Sequence, residues 1–298
     1  MPEKVELSGV KLTLSEPADI DLEWIGDESY IDMLKAAWMI VEEGDLPLNP
    51  RILGKPGVGK TTLAYATGKR LKKPVYIFQA TMDTRPEDLL ISPVISGSNK
   101  ITYVASSLVS AMIKGGVCLI DEGNRMSEKS WASLAPLMDR RRYVDSIIAG
   151  IRVYAHEDFR ICVTMNSDSS TYELPEYIQS RLNPKIYVEF PNKVDEMKIL
   201  KYNVPFASEE VIDYCTDFLQ NAHKRDQPYV ARDGINIIRY YMKNQKLQAK
   251  NPKKLIIEDF KQSLERVLEK GAIQFCPDEE EKQPNENSEI PDHYFKRS

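Results

Sequence analysis

Apolar and polar positions alternate over residues 4–14, where Val5 and Leu7 precede Gly9 and Val10, Leu12 and Leu14 follow it. A period of two places neighbouring side chains on opposite faces, so this stretch is predicted as a short hairpin or edge strand. The period lengthens over residues 28–42, with Ile31, Leu34, Ala37, Trp38 and Val41 at helical spacing and Gly44 as the expected stop. A short strand at 50–53, a glycine-rich turn and a helix over 60–71 come next. Four further β-rich apolar runs lie at 74–79, 116–120, 160–165 and 185–190, most of them separated by helical segments.

Strands alternating with helices imply an α/β fold with a largely parallel sheet covered on both faces. Two hairpins are expected as insertions, one over 91–104 and one over 142–154. From Pro191 onward only helical patterns remain, near 194–202, 208–224, 233–247 and 257–270. The expected organisation is therefore a core over 1–191, a helical domain over 192–275 and an acidic, aperiodic tail over 276–298 that is expected to be disordered. Its late Tyr294-Phe295 pair is the one hint of partner docking there.

The 298 residues, 42% hydrophobic and 29% charged, are ample for a packed core. A net charge of −5 gives no general attraction to nucleic acid or anionic membrane, although a local basic groove stays open. No run approaches the ~20 apolar residues that a membrane span needs. The start, Met-Pro-Glu-Lys-Val-Glu-Leu, lacks the pattern of a secretory signal. Cys118, Cys162, Cys215 and Cys276 form no CxxC pair, and His156, His223 and His293 have no metal-ligand spacing. Neither zinc nor disulfides are expected, and a reducing, cytoplasmic location is. Cys118 and Cys162, in apolar runs, are expected to be buried small hydrophobes.

Gly54-Lys55-Pro56-Gly57-Val58-Gly59-Lys60-Thr61, followed by Thr62, matches the phosphate-loop pattern GxxxxGK[ST] between a strand and a helix. Its glycines let backbone N–H groups turn toward phosphates. Lys60 can reach the β- and γ-phosphates of ATP, and Thr61 can offer a hydroxyl to Mg²⁺. The apolar strand ending in Asp121-Glu122 supplies two carboxylates, one to hold the Mg²⁺ shell and one to polarise the attacking water. Asn166 ends another apolar strand, where an amide could reach the γ-phosphate; a turn-forming Asn is the plainer alternative. Arg181 lies at a helix end before the last strand, where it also suits the helix dipole. Arg232 starts a helix of the second domain, where a cation does not suit the dipole, and an anion is a natural reason for it.

This order of signals resembles the AAA+ ATPases, and within them the MoxR family of the helix-2-insert group. Asp121-Glu-Gly-Asn-Arg125 is similar to that family's Asp-Glu-Ile-Asn-Arg, with Gly123 in place of the apolar residue. Leu137-Met-Asp-Arg-Arg-Arg-Tyr143 is similar to the segment before its pre-sensor hairpin, and Leu174-Pro-Glu176 to the approach to its arginine finger. The resemblance covers roughly residues 20–250. It implies a three-layer αβα sandwich with strand order 5-1-4-3-2 and a helical lid. It also implies Asn166 as sensor 1, Arg181 as a finger acting on a neighbour's nucleotide, Arg232 as sensor 2, and Ile25-Gly26 beside the adenine. Arg140, Arg141 and Arg142 are rival trans-acting arginines. The implied function is a Mg-ATP-dependent remodelling ATPase, working as a ring, often a hexamer, on a protein client. A von Willebrand A-type partner is one possible associate. A DNA-directed motor using Arg85, Lys100, Lys114 and Arg140–Arg142 is the second reading, and a slow nucleotide-gated scaffold the third.

Overall fold

The computed structural model describes residues 2–95, 101–166 and 174–277. In chain order the strands are β1 (Lys4–Leu7), β2 (Val10–Thr13), β3 (Arg51–Gly54), β4 (Val75–Gln79), β5 (Ile91–Ile95), β6 (Ile101–Ala105), β7 (Val117–Asp121), β8 (Tyr143–Ser146), β9 (Ile151–Tyr154), β10 (Arg160–Asn166) and β11 (Lys185–Tyr187). The helices are α1 (Ser29–Trp38), α2 (Lys60–Arg70), α3 (Pro86–Leu89), α4 (Ser107–Lys114), α5 (Glu128–Leu134), α6 (Glu176–Gln179), α7 (Lys193–Asn203), α8 (Glu209–Lys224), α9 (Ala231–Leu247) and α10 (Ile257–Val267). Two 3₁₀ turns, Gly123–Arg125 and Lys270–Phe275, complete them. The chain divides into two units, Met1–Ile199 and Leu200–Ser298.

The first unit is built on a parallel sheet in the order β11-β3-β10-β7-β4. Counted along the chain, those strands are 5-1-4-3-2, the expected order. The strands read as unbroken apolar runs because both faces are covered. Ile52, Leu119, Cys162 and Ile186 pack with Leu34 and Trp38 of α1 and Leu63 and Ala64 of α2. Cys118, Ile120, Ile161 and Val163 pack on the other face with Leu108 and Met112 of α4 and Trp131 and Leu134 of α5. The register pairs Gly54 with Asn166 and Asp121 with Gln79, so the C-terminal tips of β3, β10, β7 and β4 line one edge.

Four expected element boundaries need correcting. The helix expected over 28–42 ends at Trp38. Helical spacing continues to Val41, but the Asp45 carboxylate accepts the N–H groups of Val41 and Leu46, and Val41 is left 81% exposed. The last core strand stops at Tyr187, with Val188 N still donating to Leu53 O. The 142–154 hairpin, expected to turn at Ala149-Gly150 alone, turns through four residues, Ile147 to Gly150, and Ile147 is 94% exposed. The helix expected over 257–270 ends at Val267, where Leu268 and Glu269 turn extended and separate it from the second 3₁₀ turn. The N-terminal hairpin and the 91–104 hairpin are not separate either. Leu12 pairs in parallel with Tyr103, giving one sheet of order β1-β2-β6-β5.

The second unit is helical. α8 and α9 approach closely where Gly234 leaves room, since a Cβ there would meet Leu219 Cδ1 at 2.8 Å and Cys215 Sγ at 3.2 Å. Tyr214, Tyr241 and Phe260 interlock in its core. No helix among the described residues is long and apolar enough to cross a membrane. Lys100, Tyr294, Phe295 and the rest of the acidic tail beyond Pro277 lie outside the described residues.

Candidate active site

The loop after β3 takes backbone angles that only glycine adopts cheaply. Gly57 and Gly59 have φ of 83° and 95°. At Gly54 (φ 155°) a Cβ would stand under 3.0 Å from the carbonyl oxygen of Val188. Gly59 is the N-cap of α2 and has no side chain to cap it, and no acidic residue occupies the first turn. A helix start left in this way is suited to an anion. The Trp24 ring packs against this loop, 3.2 Å from where a Gly59 Cβ would be, and lies 3.1 Å from where a Gly26 Cβ would be. Lys55 lays its ammonium 4.8 Å over the Phe190 ring.

Lys60 is 7% exposed, and its ammonium donates to Gly54 O (2.9 Å), Lys55 O (2.7 Å) and Asn166 Oδ1 (2.9 Å). An ammonium this buried needs such acceptors. Thr61 Oγ1 donates to Asp121 Oδ1 at 2.8 Å, and Thr164 Oγ1 donates to the same oxygen. Thr164 Oγ1 in turn accepts the N–H of Glu122 at 3.0 Å. Glu122 adopts the left-handed conformation (φ 55°, ψ 39°), and its carboxylate meets Arg125 Nε at 3.0 Å and Gln79 Nε2 at 3.1 Å. The structure thus gathers Lys60, Thr61, Asp121, Glu122 and Asn166 at one sheet edge.

It also adds residues that the sequence did not single out. Gln79 and Thr164 look like ordinary members of apolar strands, and only strand register reveals them. Asn124 donates to Asn166 O at 3.0 Å and leaves its own Oδ1 buried without a partner. Asn124 and Arg125 stood in the motif after Asp121-Glu122, which was the available signal. Gly123 is explained too: a Cβ there would lie under 3.0 Å from Val163 Cγ1 and 3.2 Å from Trp131 Cζ2. Trp131 fills the volume that an apolar residue at 123 would need.

The arginines of the first unit lie elsewhere. Asn49, before β3, donates through Nδ2 to Arg181 O and Met138 O, both at 3.1 Å. This holds the Arg181 backbone near the N-terminal end of β3, whereas the phosphate loop leaves its C-terminal end. Arg142, at φ 48°, turns inward and donates to the carbonyls of Phe159 and His156. Arg141 pairs with Asp139, and Arg140 is exposed. Arg232 is exposed in the first turn of α9 in the second unit.

A phosphate loop between the first strand and helix of a 5-1-4-3-2 parallel sheet, with a carboxylate pair ending the third strand, defines a P-loop NTPase fold of the AAA+ type. Residues 51–182 match the family model described as AAA domain (dynein-related subfamily). Among curated proteins, an uncharacterized protein of Staphylococcus saprophyticus is 28% identical over 127 residues, 41% of this chain and 48% of the relative. One of Staphylococcus aureus is 27% identical over 126 residues, 41% of this chain and 48% of its own. The chain spans about half the length of the curated relatives it matches. Among solved structures, the Thermotoga maritima RuvB Holliday junction branch migration motor superposes with a TM-score of 0.55 at 15% identity, covering 81% of this chain and 70% of that one. Brucella abortus NtrX in complex with ADP gives 0.55 at 16%, covering 80% and 54%. At these identities the likeness is one of fold.

Proposed function

We propose that this chain is a Mg-ATP-hydrolysing AAA+ ATPase of the MoxR kind, which remodels or assembles a protein client from within a ring. The observation that carries the reading is the three-way tie of Lys60 to its own loop and to Asn166, beside the Thr61–Asp121 pair. A buried ammonium held by two carbonyls and an amide is placed to exchange those acceptors for phosphate oxygens. Thr61 and Asp121 present the hard oxygen donors that suit magnesium. Magnesium, when bound, neutralises charge on the β- and γ-phosphates.

In this reading Asn166 turns from Lys60 to the γ-phosphate and the attacking water. Glu122 exchanges Arg125 and Gln79 for that water and takes its proton. Arg181, remote from Lys60 of its own chain, serves a neighbour's nucleotide, which is why a ring is part of the proposal. Arg232 is proposed as sensor 2, and Ile25-Gly26 as the stretch beside the adenine. Charge pairing favours a protein client over DNA. Lys114 is paired with Glu3 and Arg141 with Asp139, while Arg142 is turned inward, so the proposed basic groove loses three of its cations.

Steady-state phosphate release tests the chemistry. Wild-type protein is expected to hydrolyse ATP and to stop when EDTA removes Mg²⁺. Lys60→Ala should lose nucleotide binding. Glu122→Gln should keep binding and lose about 10²–10⁴-fold in kcat. A Glu122→Gln variant as fast as wild type would remove Glu122 from the role of base.

A further inference from the structure

Asp139 lies in the turn between α5 and β8, and two arginines converge on it. Arg141 grips both carboxylate oxygens, Nε to Oδ1 at 3.0 Å and Nη2 to Oδ2 at 2.8 Å, and its backbone N–H adds a third bond to Oδ1. Arg181 meets Oδ2 through Nη2 at 3.6 Å, too long for a hydrogen bond. The rest of the Arg181 side chain is unevenly served. Its Nη1 donates to Tyr177 O at 2.5 Å, whereas its Nε is buried without a partner. The two segments meet because Asn49 ties Met138 and Arg181 together through their carbonyls.

The asymmetry has a chemical meaning. A carboxylate bound bidentately by one guanidinium is fixed in place and has little left to offer a second. Its hydrogen bonds with Arg141, and more weakly the charge of Arg181, hold the Asp139 carboxyl down at about 2. One anion cannot neutralise two cations, so the site keeps a net positive charge.

We propose that Asp139 is a positioning residue for Arg181: Arg141 fixes the carboxylate, and the carboxylate aims Arg181 through a contact weak enough to be surrendered to the terminal phosphate of a nucleotide on a second copy of this chain. This rests on the trans-acting reading of Arg181 and assigns separate tasks to the rival arginines. Arg181 is delivered, Arg141 stays with Asp139, and Arg142 belongs to the packing.

The test is a double-mutant cycle of ATPase kinetics at a protein concentration where specific activity has saturated. Asp139→Asn should lower kcat about 10-fold through misplacement of Arg181, with KM for ATP unchanged. Arg181→Ala should lower kcat by about 10³-fold. Adding Asp139→Asn to Arg181→Ala should cost nothing more, and Asp139→Glu should recover most of the wild-type kcat. Arg141→Gln, which frees the carboxylate without removing it, should also lower kcat and also lose its effect without Arg181. An unchanged kcat in Asp139→Asn, or an equal loss with and without Arg181, overturns the positioning role while leaving the reading of Arg181 in place. An Arg181→Ala variant as active as wild type overturns both.

Discussion

Gly123→Ala is a small change with a cost that follows from geometry. The added methyl would stand under 3.0 Å from Val163 Cγ1, where carbon pairs prefer about 3.5–4.0 Å. Trp131, 3.2 Å away on the other side, blocks retreat. Val163 cannot give way easily either, because β10 is paired to β3 and to β7. Overpacking of this kind costs about 1–3 kcal/mol. Val163→Ala alone should cost about 2 kcal/mol through loss of two buried methyl groups. In the double variant the methyl at 123 occupies the space vacated at 163, so the two costs should fall short of additive by at least about 1 kcal/mol. Urea unfolding followed by tryptophan fluorescence is the assay. Trp24, Trp38 and Trp131 all lie in the first unit, so the signal reports that unit alone. Gly123→Ala should lower the midpoint by about 0.5–1.5 M urea. An unchanged midpoint, or strict additivity, would refute the account of why glycine stands here.

Other expectations can be checked with the same protein. Gly54→Ala drives a Cβ into the Val188 carbonyl at φ 155°, so it should destabilise the first unit by about 1–3 kcal/mol and abolish nucleotide binding, read by urea midpoint and titration calorimetry. Trp24 packs on Gly59, so ADP binding should change tryptophan emission, and Trp24→Phe should remove that change while Trp38 and Trp131 still fluoresce. Asp139 is lowered from 3.8 to about 2 on folding, so its contribution is present above pH ~4 and is lost as pH falls through its folded value. Asp139→Asn should therefore flatten the fall in urea midpoint between pH ~4 and pH ~2, whereas an unaltered acid limb would count against the Arg141 pairing.

What the sequence revealed was local. The phosphate loop and its flanking strand and helix declare themselves because the glycines, Lys60 and Thr61 act within a few residues of one another. Alternating periods implied a parallel sheet, and its strand order came from the family resemblance alone. Long-range register was not legible. Gln79 and Thr164 reach the site only because β4 and β10 flank β7, and the Leu12–Tyr103 pairing joins hairpins some ninety residues apart. Side-chain competition was hidden as well. Apolar spacing carried the first helix on to Val41, while one carboxylate, Asp45, ends the reach of that pattern. Nor could three consecutive arginines be told apart until the positive φ of Arg142 and the grip of Asp139 on Arg141 were known.

In the proposed reading, a neighbouring copy of the chain finishes the nucleotide site. The most direct test is ATP hydrolysis per chain across a wide range of protein concentration. Specific activity is expected to climb steeply and then saturate, with a mixture of Glu122→Gln and Arg181→Ala chains recovering activity that neither has alone. A flat, appreciable activity down to the most dilute sample would mean that each chain carries a complete site, and it would contradict both the ring and the trans-acting Arg181.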